Sequence, residues 1–209
     1  MNVDIRIMGV ETRIDNIKMN QEILGVPDEN IFIDYDRKGV KWNAKRAWSK
    51  KTDATHVLVL QDDVILCKDF MHYCKMIVDR YPDDIISFFP HQFRELKDLR
   101  IYPVSPYVYV HHVSGVATMM RTEYIKPCLD SWRDDISGDD VNITEWAKSQ
   151  GINIMSTIPA LVQHIGLESV YDPSRSIGGT VFYEEDPSSA KWELDYVNGH
   201  ANLQKGGIK

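Results

Sequence analysis

The stretch "HVLVLQDDVILCKDF", His56 to Phe70, contains the strongest signal in the chain for a buried strand. Its apolar run ends in two adjacent carboxylates, Asp62 and Asp63, and then becomes apolar again. Two like charges between apolar flanks are costly to remove from water, so a simple surface turn explains them poorly. A cation held beside both carboxylates would offset their repulsion. The stretch therefore predicts a buried strand that leads into a cation-binding or ligand-binding site.

The composition of the 209-residue chain is typical of a globular domain. Its net charge of −7 gives no general attraction to nucleic acid or to anionic lipid. The three cysteines form no C-x-x-C pair and their number is odd, which favours reduced thiols and a reducing compartment. We find no signal peptide pattern and no apolar run near the ~20 residues that span a bilayer. We therefore expect a cytoplasmic protein without stable membrane insertion.

Strands and helices alternate in the first part of the chain, with short connections between them. The predicted strands are residues 3–10, 30–36, 55–60 and 84–89, and the predicted helices are residues 11–25, 41–51 and 70–81. Gly25 is a good C-cap for the first of these helices. This alternation is typical of an α/β fold with parallel strand pairing.

The pattern changes in the second part of the chain. Residues 106–121 resemble two strands interrupted at Ser114-Gly115, and residues 122–132 are predicted to be helical. A further helix is expected from about Val141 to Gly151, with Ser137 or Asp139 as N-cap. Residues 152–166 supply one or two short strands. We expect a single-domain α/β/α sandwich with a mixed, mostly parallel sheet over residues 1–171, followed by a tail, residues 172–209, that could act as a mobile lid.

Acidic residues follow several of these predicted strands. Ligands of open α/β sheets bind outside the carboxyl ends of the strands, and Mg²⁺ and Mn²⁺ prefer carboxylate oxygens. The candidates are Asp34 and Asp36, Asp62 and Asp63, Asp139 and Asp140, and the later His164. Each has a structural alternative: acids complement the dipole at a helix start, Asp residues form turns, and a semi-buried histidine often only makes hydrogen bonds.

The order of these motifs resembles the GT-A family of nucleotide-sugar-dependent glycosyltransferases, especially its short bacterial and phage forms. The match consists of an acidic "DXD"-type motif after an apolar strand, a glycine-containing strand pair, an acidic pair that opens a helix, and a strand leading to a histidine. These are "LQDDV" (Leu60–Val64), "HVSGVATMMR" (His112–Arg121), "SGDDVNITEW" (Ser137–Trp146) and "IPALVQHIGLES" (Ile158–Ser169). The resemblance covers roughly Val3 to Ser169.

The resemblance implies a GT-A fold and a role for each acidic motif. Asp63 would be the main ligand of Mn²⁺ or Mg²⁺, Asp62 would hold the ribose or a metal-bound water, and His164 would bind the metal or the diphosphate. The sequence departs from the family pattern at Gln61, which stands where an acid is common and removes one carboxylate from the metal site.

Two more acidic positions receive roles from the same resemblance. Asp34 or Asp36 would lie near the nucleotide base or ribose. Asp140, or alternatively Asp139, would deprotonate the acceptor hydroxyl.

The expected reaction also needs cationic groups beside the leaving diphosphate. Arg13, Lys45 or Arg46, and Arg175 of the tail are candidates for this role, although each is also a normal surface residue. Ser114 and Gly115 are further candidates for contact with the sugar nucleotide or the acceptor.

Together these features predict a metal-dependent glycosyltransferase, inverting if Asp140 is its base, that uses a nucleotide-diphosphate sugar, with a UDP-sugar favoured. The acceptor would be a glycan or a modified DNA base. Two other classes stay open: a nucleotidyltransferase, and a sugar-nucleotide-binding module without activity. The single glycine of "GVETRIDN" (Gly9–Asn16) argues against the nucleotidyltransferase, whose loop after the first strand is usually rich in glycine.

Overall fold

The computed structural model describes residues 2–89, 107–136, 138–157 and 160–164, and these contain nine β-strands and five α-helices. The strands are β1 (Val3–Gly9), β2 (Ile31–Ile33), β3 (His56–Gln61), β4 (Val64–Leu66), β5 (Ile85–Ser87), β6 (Tyr107–Tyr109), β7 (Ala117–Arg121), β8 (Ile154–Thr157) and β9 (Val162–His164). The helices are α1 (Ile14–Leu24), α2 (Val40–Ser49), α3 (Phe70–Arg80), α4 (Thr122–Asp130) and α5 (Asp139–Gln150). Short 3₁₀ helices, Glu11–Arg13 and Asp28–Asn30, precede α1 and β2.

Seven of these strands form one mixed sheet in the order β2-β1-β3-β7-β5-β8-β6. The β2–β1, β1–β3 and β5–β8 pairs are parallel, whereas β7 is antiparallel to β3 and β5, and β6 is antiparallel to β8. Five strands therefore point in one direction and two in the other. The predicted mixed and mostly parallel sheet is confirmed.

Helices cover both faces of this sheet. On one face α1 and α3 contribute Ile17, Phe70 and Ile77 to an apolar core. On the other face α2, α4 and α5 build a second core that includes Trp48 and Trp146. Strand β3 supplies both cores, since Leu58 and Leu60 face the first while Val57 and Val59 face the second. The predicted three-layer α/β/α arrangement is confirmed.

The apolar residues after Asp63 form a separate strand, β4, that is not among the predicted strands. Strand β4 leaves the main sheet and pairs antiparallel with β9, so that Val64 lies opposite His164. The main chain changes sheets at Asp62 and Asp63, which explains why apolar segments flank the two carboxylates on both sides. This pairing also brings His164 to the end of β3.

Among the predicted boundaries that differ from the observed ones, two bear on the acidic residues. Strand β2 ends at Ile33 and not at Asp36, because the Asp34 carboxylate accepts hydrogen bonds from the backbone N–H groups of Lys38 and Gly39 and closes a turn. Helix α5 begins at Asp139 and not near Val141, with Gly138 as its N-cap.

Ser137 and the tail, residues 172–209, lie outside the described residues, so the tail and the domain boundary stay predictions. Within the described ranges, no helix has the length and hydrophobicity needed to cross a bilayer.

Candidate functional site

The candidate site lies at the edge of the sheet where β1 and β3 end and β7 begins. Met8 of β1 is paired with Gln61 of β3, and Leu60 is paired with Ala117, the first residue of β7. The segments that follow β1 and β3 and the segment that precedes β7 therefore meet at this edge. Open α/β sheets commonly bind ligands at such a position.

Asp62 joins the ends of β1 and β3. Its Oδ2 accepts a hydrogen bond from the Val10 backbone N–H at 2.8 Å, and its Oδ1 lies 3.0 Å from Nη1 of Arg13. A Cβ atom on Gly9 would lie only 2.3 Å from both Cβ and Oδ2 of Asp62, so this approach requires a glycine. Burial raises the pKa of Asp62, although the Val10 N–H group opposes the shift. Both carboxylate oxygens of Asp62 are thus used within the protein.

Asp63 has a different set of contacts. Its Oδ2 lies 2.5 Å from Nη1 of Arg13 and 3.1 Å from Nε2 of His164. Its Oδ1 is buried and has no hydrogen-bond partner among the described residues. Burial alone would raise the pKa of Asp63, but the hydrogen bond and charge of His164, together with Arg13, lower it. This group, the Arg13 cluster, consists of Arg13, Asp62, Asp63 and His164, and all four belong to the predicted site.

The Arg13 cluster does not fit a divalent ion as it is arranged. Among the described residues, no group of three or more His, Cys, Asp or Glu side chains is arranged to hold a metal ion. The Arg13 guanidinium contacts both carboxylates, as the expected ion would, and its positive charge would repel an ion bound to Asp63. We therefore derive no chemical step through a metal.

Asp139 lies beside a second part of the same edge. A Cβ atom on Gly115 would lie 3.2 Å from Oδ1 of Asp139 and 3.4 Å from Nε2 of Gln61, so both side chains lie beside Gly115. Asp139 is buried at the start of α5, and burial, followed by the charge of Asp140, raises its pKa to about 7. Gln61, Gly115 and Asp139 form what we call the Gly115 site. It adjoins the Arg13 cluster through the neighbouring residues Gln61 and Asp62.

Asp140 and Ser114 have local contacts in the structure. The Asp140 carboxylate is half-buried and accepts a hydrogen bond from the Val141 backbone N–H at 2.8 Å. The Ser114 backbone N–H donates to Oγ of Ser87, and its carbonyl accepts a 2.6 Å hydrogen bond from Oγ1 of Thr118. These main-chain bonds fix the loop that presents Gly115.

The structure gives Asp34 and Asp36 different environments. Asp34 is 1% exposed and accepts hydrogen bonds from the N–H groups of Lys38 (3.0 Å) and Gly39 (2.8 Å), which closes the turn before α2. Asp36 is exposed and forms a surface ion pair with Lys38. Asp34 thus has a structural use that accounts for its burial.

Lys45 and Arg46 both lie on α2. Lys45 is half-buried, and Arg46 donates to the Ile33 carbonyl and to Oδ1 of Asn43 while its guanidinium stacks 4.6 Å from the Trp42 ring centre. The α2 residue that reaches the end of β1 is Asn43, whose amide donates to the Gly9 and Phe32 carbonyls. Asn43 is not among the predicted site residues, because an asparagine in a helix carries no distinctive spacing signal.

The described part of the chain is thus a mixed α/β domain with a buried acidic edge that holds an arginine and a histidine. No family model matches the chain, and no curated protein matches it. Among solved structures it is similar to A197 from STIV, with a TM-score of 0.48, 14% identity, and coverage of 78% of this chain and 84% of that chain. It is also similar to a mutant of Drosophila β-1,4-galactosyltransferase 7 in complex with manganese, UDP-Gal and xylobiose, with a TM-score of 0.45, 11% identity, and coverage of 83% and 75%. At sequence identities this low, the similarity assigns no role to any residue of this chain.

Proposed function

We propose that the protein is a GT-A-type glycosyltransferase that moves a sugar from a nucleotide-diphosphate sugar, with a UDP-sugar favoured, to an acceptor hydroxyl. The observation that carries this proposal is the Gly115 site, where a buried carboxylate with a pKa of about 7 and the Gln61 amide both lie beside Gly115, next to the Arg13 cluster. Base and cationic groups thus adjoin each other at one sheet edge.

Asp139 would act as the general base. A carboxylate is most effective as a base when its pKa lies near the working pH, which burial achieves for Asp139. The acceptor hydroxyl would donate its proton to Asp139 and accept a hydrogen bond from the Gln61 amide. A base on the acceptor side favours direct displacement at the anomeric carbon, with inversion of configuration.

Arg13 and His164 would interact with the leaving nucleoside diphosphate. In the reaction, the bond between the anomeric carbon of the donor sugar and the diphosphate oxygen breaks. The negative charge on the diphosphate grows as this bond breaks. A fixed guanidinium and fixed hydrogen-bond donors stabilise such developing charge without reorganising during the step. The expected Mn²⁺ or Mg²⁺ is left out of this scheme, because Arg13 lies against both carboxylates.

A glycan is favoured over a modified DNA base as the acceptor. Binding to a DNA backbone requires lysine and arginine side chains that are available to phosphates. In the predicted helix over residues 41–51, which is rich in lysine and arginine, Lys41 donates to the carbonyls of Asp134 and Ile136, and Lys50 donates to the Glu29 carbonyl. These internal bonds reduce the cationic surface that α2 offers to a duplex.

The proposal is tested with a panel of UDP- and GDP-sugars, each incubated with a set of sugar acceptors. Mass spectrometry should detect a nucleoside diphosphate together with a glycosylated acceptor. The Asp139→Asn variant should lose about 10²- to 10⁴-fold in transfer rate, the usual contribution of a general base, and should still bind the donor in a thermal-shift assay. Wild-type kcat/KM should fall below a pH of about 7, where Asp139 becomes protonated.

Asp140→Asn is the matched control, because it removes the adjacent carboxylate of the same helix turn. If Asp140→Asn loses as much activity as Asp139→Asn, the base is not assigned to Asp139. Release of pyrophosphate would instead identify a nucleotidyltransferase. Donor binding without any turnover across the panel would contradict an enzymatic role.

A further inference from the structure

The feature that the proposed reaction does not explain is the double contact of Arg13 with the two carboxylates. Its Nη1 atom lies 3.0 Å from Oδ1 of Asp62 and 2.5 Å from Oδ2 of Asp63. The Arg13 side chain is 11% exposed, so this ion pair is largely shielded from solvent. A single guanidinium nitrogen is shared between two acidic side chains that are adjacent in the sequence.

The fold holds Arg13 in this position. Arg13 ends the 3₁₀ helix Glu11–Arg13 directly after β1, and its backbone N–H donates to the Val10 carbonyl at 3.1 Å. The Val10 backbone N–H donates to Oδ2 of Asp62. One four-residue segment therefore supplies both a backbone donor and a guanidinium to the acidic pair.

Three oxygens of these carboxylates contact the Arg13 or His164 side chain, or no group among the described residues. Oδ1 of Asp63 is buried and has no partner among the described residues, and Oδ1 of Asp62 and Oδ2 of Asp63 both face the guanidinium. Nε2 of His164 lies 3.1 Å from Asp63. Carboxylate oxygens are ligands that suit Mn²⁺ in proteins.

We propose that Arg13 is the built-in counter-cation of Asp62 and Asp63, and that a divalent ion binds these carboxylates only when the guanidinium is removed. Arg13 and the ion compete for the same oxygens, so the chain carries a latent metal site that its own arginine occupies. This proposal goes beyond the glycosyltransferase function and does not depend on it, since it concerns binding of the ion alone.

The test compares Mn²⁺ binding to the full-length wild type and to Arg13 variants, measured as loss of the free Mn²⁺ signal in electron paramagnetic resonance. Arg13→Met removes the charge but keeps most of the side-chain length, whereas Arg13→Lys keeps the charge. We expect Arg13→Met to bind one Mn²⁺ at least about tenfold more tightly than the wild type and Arg13→Lys do, a difference of about 1.4 kcal/mol. Adding Asp63→Asn to Arg13→Met should abolish the gain.

Thermal unfolding gives a second readout that does not depend on activity. A bound ion raises the unfolding temperature of the state that binds it, so Mn²⁺ should stabilise Arg13→Met and leave the wild type unchanged. Arg133→Met is the matched control, since Arg133 pairs with Asp135 on an exposed surface, and it should gain no Mn²⁺ response.

Two results would overturn the proposal. One is Asp63-dependent Mn²⁺ binding in the wild type that is as tight as in Arg13→Met. The other is the absence of any gain in both Arg13→Met and a second neutral variant, Arg13→Gln. If the neutral variants fold only when Mn²⁺ is present, the ion replaces the missing charge and the proposal is supported. Failure of both to fold with Mn²⁺, while Arg13→Lys folds, counts against it.

Discussion

Replacing Asp139 by asparagine should make the protein more stable at alkaline pH. Burial raises the pKa of Asp139 from an ordinary value of 3.8 to about 7, so the native state holds a proton between these pH values that the unfolded chain has lost. Native stability therefore falls as the pH rises from about 4 to about 7 and is then constant. At about 1.4 kcal/mol for each pKa unit, the ionised carboxylate costs the folded state about 4 kcal/mol above pH 7.

Urea unfolding of the wild type and of Asp139→Asn at pH 5 and pH 8 measures this cost. Between these two pH values the stability of the variant relative to the wild type should increase by about 2 to 3 kcal/mol, since part of the penalty is already present at pH 5. Comparing the two proteins cancels the titration of all other groups. Asp79→Asn, an exposed change on α3, is the control and should show no such pH dependence. A stability difference between Asp139→Asn and the wild type that stays constant across this range would refute the assignment of a buried, proton-holding carboxyl.

Two further substitutions test how the sheet edge is built. Gly9→Ala would place a methyl group 2.3 Å from Cβ and Oδ2 of Asp62, so it should break the Val10–Asp62 hydrogen bond. We expect urea unfolding to show a loss of about 2 to 4 kcal/mol in stability. An unchanged unfolding midpoint would contradict the close approach of β1 and β3. Asp34→Ala would remove the acceptor of two backbone N–H groups before α2 and should lower the free energy of unfolding by about 1 to 3 kcal/mol. Asp36→Ala, which changes the exposed acid two positions later, should leave the free energy of unfolding nearly unchanged. Equal effects of the two substitutions would show that the buried turn contributes little to stability.

Much of the fold could be predicted from the sequence because its signals are local. Strand β3 contains an uninterrupted apolar run and contributes side chains to both cores. Such a run predicts a strand that is buried on both faces. Helix α1 ends at Gly25, whose φ of 63° places it in the left-handed region that glycine adopts without strain. Such features require no knowledge of distant residues.

The candidate site was harder to predict because its contacts join distant segments. Arg13 was a candidate only as one of four basic residues, and nothing local shows that it meets carboxylates 49 and 50 positions later. The requirement for glycine at position 9 is equally hidden, since it arises from a side chain on another strand. The placement of Asp139 beside Gly115 depends on where α5 begins. Because the helix begins at Asp139 and not near Val141, Asp139 and Asp140 lie in its first turn, and Asp139 is the more buried of the two.

The two adjacent aspartates perform separate tasks, which accounts for their burial as a pair. Asp62 uses both oxygens inside the protein and links the ends of β1 and β3 through Val10 and Arg13. Asp63 shares Arg13 but also contacts His164 and keeps one buried oxygen without a partner among the described residues. Because a buried acceptor is costly when it stays unpaired, Asp63 is the member of the pair whose environment favours a ligand. The strand switch from β3 to β4 makes this division necessary, since successive side chains at the end of a strand point in different directions and must find different partners.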